Sequence, residues 1–311
     1  MSFLINYMQY MQESRVKSSE LEYFEMNLFF WNKKDSSHWL QYRENFMRNY
    51  DLVLGSMDGD AKLAWIRQLK NFIARDNIFY YLDKINKDWI ANNIDVSSVM
   101  EIKASLTGAR PVVFLTVHSF YQTLMPLVLA QYLGPVSPFA LDENAETDTV
   151  IKSYLTSMYA GMTKSLSGGS LLKVGADKSL DSRNKARSIM AEKGNIYAAI
   201  DMIHPNLGDN SKVKLSTNYF DIDVLAGVIN MGLKYDAQFL MPFISTIDDG
   251  SLRLDLFELK GSSMKDILIA FQNEFNSILV RDVASWEGGS LLKYNEYSNE
   301  NKSSTNAGYF S

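Results

Sequence analysis

Two short stretches carry the side chains best suited to chemistry. The first, PVVFLTVHSFYQT, runs from Pro111 to Thr123 and places His118 directly after an apolar, β-branched run. The second, NIYAAIDMIHPN, ends a similar run on Asp201 and adds His204 and Asn206. An imidazole titrates near neutrality, so His118 is suited to taking and returning a proton. A carboxylate beside it would hold the ring in one tautomer. Ser119, Gln122 and Thr123 supply polar groups next to the first run. Ser119 is no evident nucleophile for His118, because adjacent residues point apart. The alternative for His118 is a core histidine satisfied by backbone, and for Asp201 a turn residue ahead of Pro205.

Both runs read as buried strands, and each is followed by turn or helix signals. Ligands of open α/β sheets gather at the C-terminal ends of such strands. If the two strands are parallel members of one sheet, His118 and Asp201 share an edge. Alternation continues along the chain. Helices are expected over 96–106, 121–132, 148–166, 180–193, 224–234 and 264–280, and strands over 136–141, 171–174, 195–200, 238–244 and 252–256, with a hairpin over 212–222. Asp248-Asp249-Gly250 marks the turn of a second hairpin, and Ser167-Gly168-Gly169 a helix stop. This pattern specifies an α/β fold with a mixed, mostly parallel sheet covered by helices.

Residues 1–90 have a different texture, with helical periodicity and many aromatics. Helices are expected over 18–31, 38–54 and 60–85, capped by Ser36 or Ser37 and by Asp58 or Asp60. Trp31, Trp39, Trp65 and Trp89 fit core or groove lining there. The stripe Leu4, Met8 and Met11 lacks a basic face and fits packing on the protein better than on lipid. The expected organisation is a helical N-terminal region over 1–90, an α/β domain over 91–294 and a polar, flexible tail over 295–311.

Composition removes several classes of function. The 311 residues are 46% hydrophobic and 22% charged, enough for a substantial core. A net charge of −5 without a basic patch argues against nucleic acid. With no cysteine and only three histidines (His38, His118, His204), neither a thiolate nucleophile nor a histidine-rich metal site is expected. No phosphate-binding glycine loop and no G-x-S-x-G elbow occurs. Without a signal peptide or an apolar run of membrane-spanning length, a cytoplasmic protein with at most peripheral membrane contact is expected.

The order of elements resembles the lysophospholipid acyltransferase superfamily, and within it the bacterial lipid A lauroyl and myristoyl acyltransferases. Four stretches over about 180 residues carry the likeness. VVFLTVHSFYQT resembles the strand leading to that family's catalytic histidine, and MAEKGNIYAAIDM its helix, glycine and strand ending in aspartate. YFDIDVLAGVINMGLKYDAQFLMPF resembles its aromatic turn, Gly-bearing helix and strand ending in proline, and VRDVASWEGG its closing segment. The resemblance implies a glycerolipid acyltransferase-like fold with His118 as general base. The acyl donor would be a thioester on acyl carrier protein or coenzyme A, and the acceptor a hydroxyl or amine; because the lipid A enzymes' N-terminal membrane helix has no counterpart in this sequence, a small or carrier-bound acceptor is expected rather than a membrane lipid. No bound cofactor or metal is implied.

One position departs from the family. Its histidine heads a His-x-x-x-x-acid motif, but Thr123 stands where the acid belongs. Asp201 is then the expected orienting group, with Glu143 second. Ser119, Gln122, Thr123, Lys173, Arg183 and His204 are expected at the substrate, and Lys164 is a further candidate for phosphate or carrier contact. Two alternatives to acyl transfer stand beside it: a non-catalytic acyl-binding or scaffold protein of the same fold, and a thioester or ester hydrolase.

Overall fold

A computed structural model describes residues 36–55, 61–106, 108–145, 149–175, 179–201, 212–247 and 251–291. The expected helix over 18–31, the Leu4–Met11 stripe, the caps Asp58 and Asp60, the turn 248–250, His204 and the tail lie outside these residues.

Nine strands form among the described residues: β1 Ile94–Asp95, β2 Val112–Thr116, β3 Val136–Leu141, β4 Leu172–Val174, β5 Asn195–Ala199, β6 Lys212–Ser216, β7 Asp221–Leu225, β8 Gln238–Thr246 and β9 Leu252–Glu258. Seven make one sheet in the order β1-β9-β8-β2-β5-β3-β4. β8, β2, β5, β3 and β4 run parallel, while β9 pairs antiparallel with β8 and carries β1 alongside. β6 and β7 form a separate antiparallel hairpin. The fold is therefore the mixed, mostly parallel α/β arrangement that the alternation of elements specifies.

Ten α-helices lie among the described residues: α1 Ser36–Leu54, α2 Ala61–Ile78, α3 Lys87–Asn93, α4 Ser97–Lys103, α5 Leu124–Leu133, α6 Thr149–Ser165, α7 Ser179–Ala191, α8 Gly227–Lys234, α9 Met264–Asp282 and α10 Gly288–Leu291. Side chains alternate across a strand. Val113, Leu115 and Val117 accordingly join a core with α7, α8, α9, the hairpin and residues Phe46, Tyr50 and Trp65 of α1 and α2. Val112 and Phe114 face the other way, into a core with α3, α4, α5 and α6. A sheet buried on both faces explains why β2 is apolar at every position but Thr116, whose hydroxyl donates to Pro242 O at 2.8 Å. Gly232 lets α8 approach closely: a Cβ there would stand 2.6 Å from the Phe239 ring.

Two elements start later than their periodicity suggests. Residues 121–123 form a turn, with Gln122 N donating to Ser119 O and Leu124 N to Tyr121 O, each at 3.0 Å, and α5 begins only at Leu124. Val224 belongs to β7 rather than to α8, since Leu225 N donates to Ile200 O at 2.8 Å and so ties the hairpin to the end of β5. The stop after α6 is as expected, with Gly168 at φ 93°.

Candidate active site

β2 and β5 are adjacent and in register, from Val112 opposite Asn195 to Thr116 opposite Ala199. The register continues past the strand ends, as Ile200 N donates to Thr116 O at 2.9 Å. His118 and Asp201 stand two residues beyond the last pair, so strand pairing alone sets them side by side. Asp201 Oδ1 accepts from the His118 backbone N–H at 2.6 Å and lies 2.7 Å from His118 Nδ1.

Set against a carboxylate that accepts, the neutral ring carries its proton on Nδ1 and its lone pair on Nε2. Asp201 is 3% exposed and the imidazole 20%, so the carboxylate is enclosed while the ring reaches the surface. Burial draws the imidazole's pKa down. The charge and hydrogen bonds of Asp201, with the Glu287 carboxylate, outweigh it, and the net displacement is above the ordinary histidine value.

A third group meets Asp201 from 85 residues away. Trp286 Nε1 donates to Oδ2 at 3.2 Å, so both carboxylate oxygens are engaged. The indole is wholly buried, stacked on Phe220 at 5.6 Å and edge-on to Phe275 at 5.2 Å. Its segment runs antiparallel to residues 118–120, with Ser119 bridged to Trp286 and Glu287 N donating to His118 O at 3.0 Å. α2 holds this segment from outside. Gln68, Asn71 and Arg75, three and four residues apart on one helical face, reach Trp286 O at 3.2 Å, Ala284 O at 3.1 Å and Glu287 Oε1 at 2.7 Å. Asn71 Oδ1 also accepts from Tyr121 OH at 2.9 Å and Thr246 Oγ1 at 2.8 Å, giving a satisfied buried network beneath the turn after His118. Asn49 of α1 donates to Gly289 O at 2.7 Å.

The other expected site residues are scattered. Ser119 is wholly buried and its Oγ has no hydrogen-bond partner among the described residues, so its hydroxyl is shut off from any incoming molecule. Thr123 ends the turn before α5 and makes no side-chain capping bond. Gln122 is half-buried, and its carbonyl accepts from Tyr197 OH at 3.0 Å. Glu143 does not reach His118: it pairs with Lys173, whose ammonium also lies 5.8 Å over the Tyr159 ring. Arg183 is exposed on α7, and Lys164 pairs loosely with Asp83 at 3.5 Å.

Sequence reasoning missed the roles of Trp286, Gln68, Asn71 and Arg75 in this assembly. The polar stripe on one face of α2 was the available signal. Among the described residues no group of three or more His, Asp or Glu could hold a metal ion, and no helix is long and apolar enough to cross a membrane. What the arrangement can do is general base chemistry at Nε2, with the charge of the resulting imidazolium balanced by Asp201. No protein-family model matches the chain, and no curated protein matches it either.

Proposed function

We propose that the protein is an acyltransferase that moves an acyl group from a thioester donor, acyl carrier protein or coenzyme A, to a hydroxyl or amine acceptor. One observation carries the reading: a buried carboxylate 2.7 Å from Nδ1 of the histidine that the acyltransferase-like sequence pattern marks as the base. Asp201 thereby does the work of the motif acid that Thr123 replaces.

In the proposed reaction His118 Nε2 takes the acceptor's proton as the acceptor oxygen or nitrogen attacks the thioester carbonyl carbon. The tetrahedral intermediate collapses with cleavage of the C–S bond, and the departing sulfur receives the proton from the imidazolium. No acyl-enzyme is needed, in keeping with the enclosure of Ser119. Arg183, exposed on α7, is the proposed contact for donor phosphates; Lys173 serves that role only by exchanging its Glu143 partner.

The experiment is intact-mass analysis of products from acyl-carrier and acyl-coenzyme A donors with a metabolite extract, using native protein and His118→Ala. The expected result is an acylated acceptor with the native protein and none with the variant, at similar melting temperatures. Full turnover by His118→Ala refutes the reading. Free fatty acid without added acceptor makes the protein a hydrolase instead, and donor binding without turnover makes it a binding protein.

A further inference from the structure

The pair at the sheet edge is held by more than its own hydrogen bond. Asp201 Oδ1 accepts from two His118 N–H groups, while Oδ2 accepts from the Trp286 indole alone among the hydrogen bonds described. That indole has little room to move, between the Phe220 face and the Phe275 edge. A Cβ at Gly288 would lie 2.6 Å from indole Cε2 and 2.7 Å from Nε1, so only glycine at 288 leaves the ring its place. From the backbone side, Gln68 grips the Trp286 carbonyl and Asn71 the Ala284 carbonyl. Apolar packing alone would not need an N–H pointed at a buried carboxylate, and any large apolar side chain could fill the space.

We propose that Trp286 is a positioning residue, which holds the Asp201 carboxylate in the one rotation where Oδ1 receives both N–H groups of His118. The inference rests on the general-base reading of His118 and assigns to it a residue outside both strand-end stretches. Without the indole N–H, Oδ2 is a buried acceptor lacking this donor, and the carboxylate gains freedom to turn about its Cβ–Cγ bond. Nδ1 then loses its fixed acceptor and the ring samples both tautomers, with Nε2 protonated in part of the population and unable to act as base.

The test removes the N–H without the ring. Trp286 is replaced by β-(3-benzothienyl)alanine, whose sulfur takes the place of Nε1 and carries no hydrogen; Trp286→Phe serves as the encoded counterpart. Two-bond ¹H–¹⁵N spectra of the histidine rings, with His118→Ala identifying the His118 signals, report tautomer and titration directly. The expected result is a pure Nδ1–H pattern in the native protein and a mixed pattern in the isostere. Turnover is expected to fall between about 10- and 100-fold, the range for one hydrogen bond to a charged group, with KM within about twofold. The pH at which the kcat/KM profile rises should move together with the His118 titration. An isostere with unchanged His118 spectrum overturns the proposal, whether or not turnover falls. If the native protein yields no acyl product, the acyl-transfer reading fails by itself and the ring spectrum still decides the role of Trp286.

Discussion

Replacing Asp201 by Asn keeps the shape of the side chain and removes its charge, and the hydrogen-bond geometry dictates what must follow. The three donors converging on the carboxylate are His118 N at 2.6 Å, His118 Nδ1 at 2.7 Å and Trp286 Nε1 at 3.2 Å. An amide has one oxygen and one NH₂ to set against them. With its oxygen toward His118, the NH₂ faces the indole N–H, donor against donor. With its oxygen toward Trp286, the NH₂ meets the His118 backbone N–H, and the ring must present an unprotonated Nδ1, which puts the proton on Nε2. Either way the base is mis-set or a buried donor is unsatisfied. The loss of the ionised partner also removes the main influence holding the imidazole's pKa up. For a Ser-His-Asp triad, the comparable change costs about 10⁴ in turnover, or ~5.5 kcal/mol of transition-state stabilisation. Asp201→Asn is therefore expected to lower kcat for acyl transfer by about 10³–10⁴, with KM for the donor little changed. Thiol release from acyl-carrier and acyl-coenzyme A thioesters, followed together with product mass, measures it. A variant within tenfold of the native rate refutes Asp201 as the group that orients His118.

Thr123→Asp supplies the acid of the acyltransferase motif that the sequence resembles, but with Asp201 already in contact with Nδ1 it should change turnover by less than about threefold, under 1 kcal/mol; a large gain in the same assay would show that Asp201 is an inadequate substitute. Because the folded His118 pKa lies above the unfolded value, its contribution to stability is full below about pH 6.5 and is lost as pH rises through the folded value. Urea titrations across that window should show a decline in stability that Asp201→Asn flattens, and an unchanged slope in the variant contradicts the pairing. Gly288→Ala drives a Cβ into the indole and should cost about 1–3 kcal/mol of stability while lowering turnover, both read from denaturation and thiol release; native behaviour would mean that the indole can shift at no cost.

Much of the sheet was legible because its strands bury both faces and therefore announce themselves as apolar runs. β3 matches its expected span of 136–141, and β2 and β5 lie within one or two residues of theirs. The meeting of His118 and Asp201 was legible as a condition, since two parallel neighbours in register must align their ends. Trp286 was not legible in that way. Nothing near residue 286 in sequence says that its N–H must find a carboxylate 85 positions earlier, because that contact is made by a side chain on a short bridged segment and not by the register of the sheet. The enclosure of Ser119 has the same origin: its backbone bridges Trp286, which turns a residue beside the edge histidine inward. Glu143 was drawn off by Lys173, a neighbour supplied by β4.

The grip of α1 and α2 on the segment from Ala284 to Gly289 has a consequence for how the protein comes into being. Asn49, Gln68 and Asn71 find their backbone partners 213 to 240 residues further along the chain. Closing so long an interval is entropically costly and slow compared with forming any single strand–helix unit. A ribosome releases β2 and β5 well before residue 286, so the histidine and its carboxylate can meet while the indole is still unmade. The arrangement thus depends on two separate closures: strand pairing sets the imidazole beside the carboxylate, and the contacts of α1 and α2 with the segment from Ala284 to Gly289 hold the indole against it. A chain clipped before Ala284 would lack the one indole N–H that meets Asp201 Oδ2 among the hydrogen bonds described.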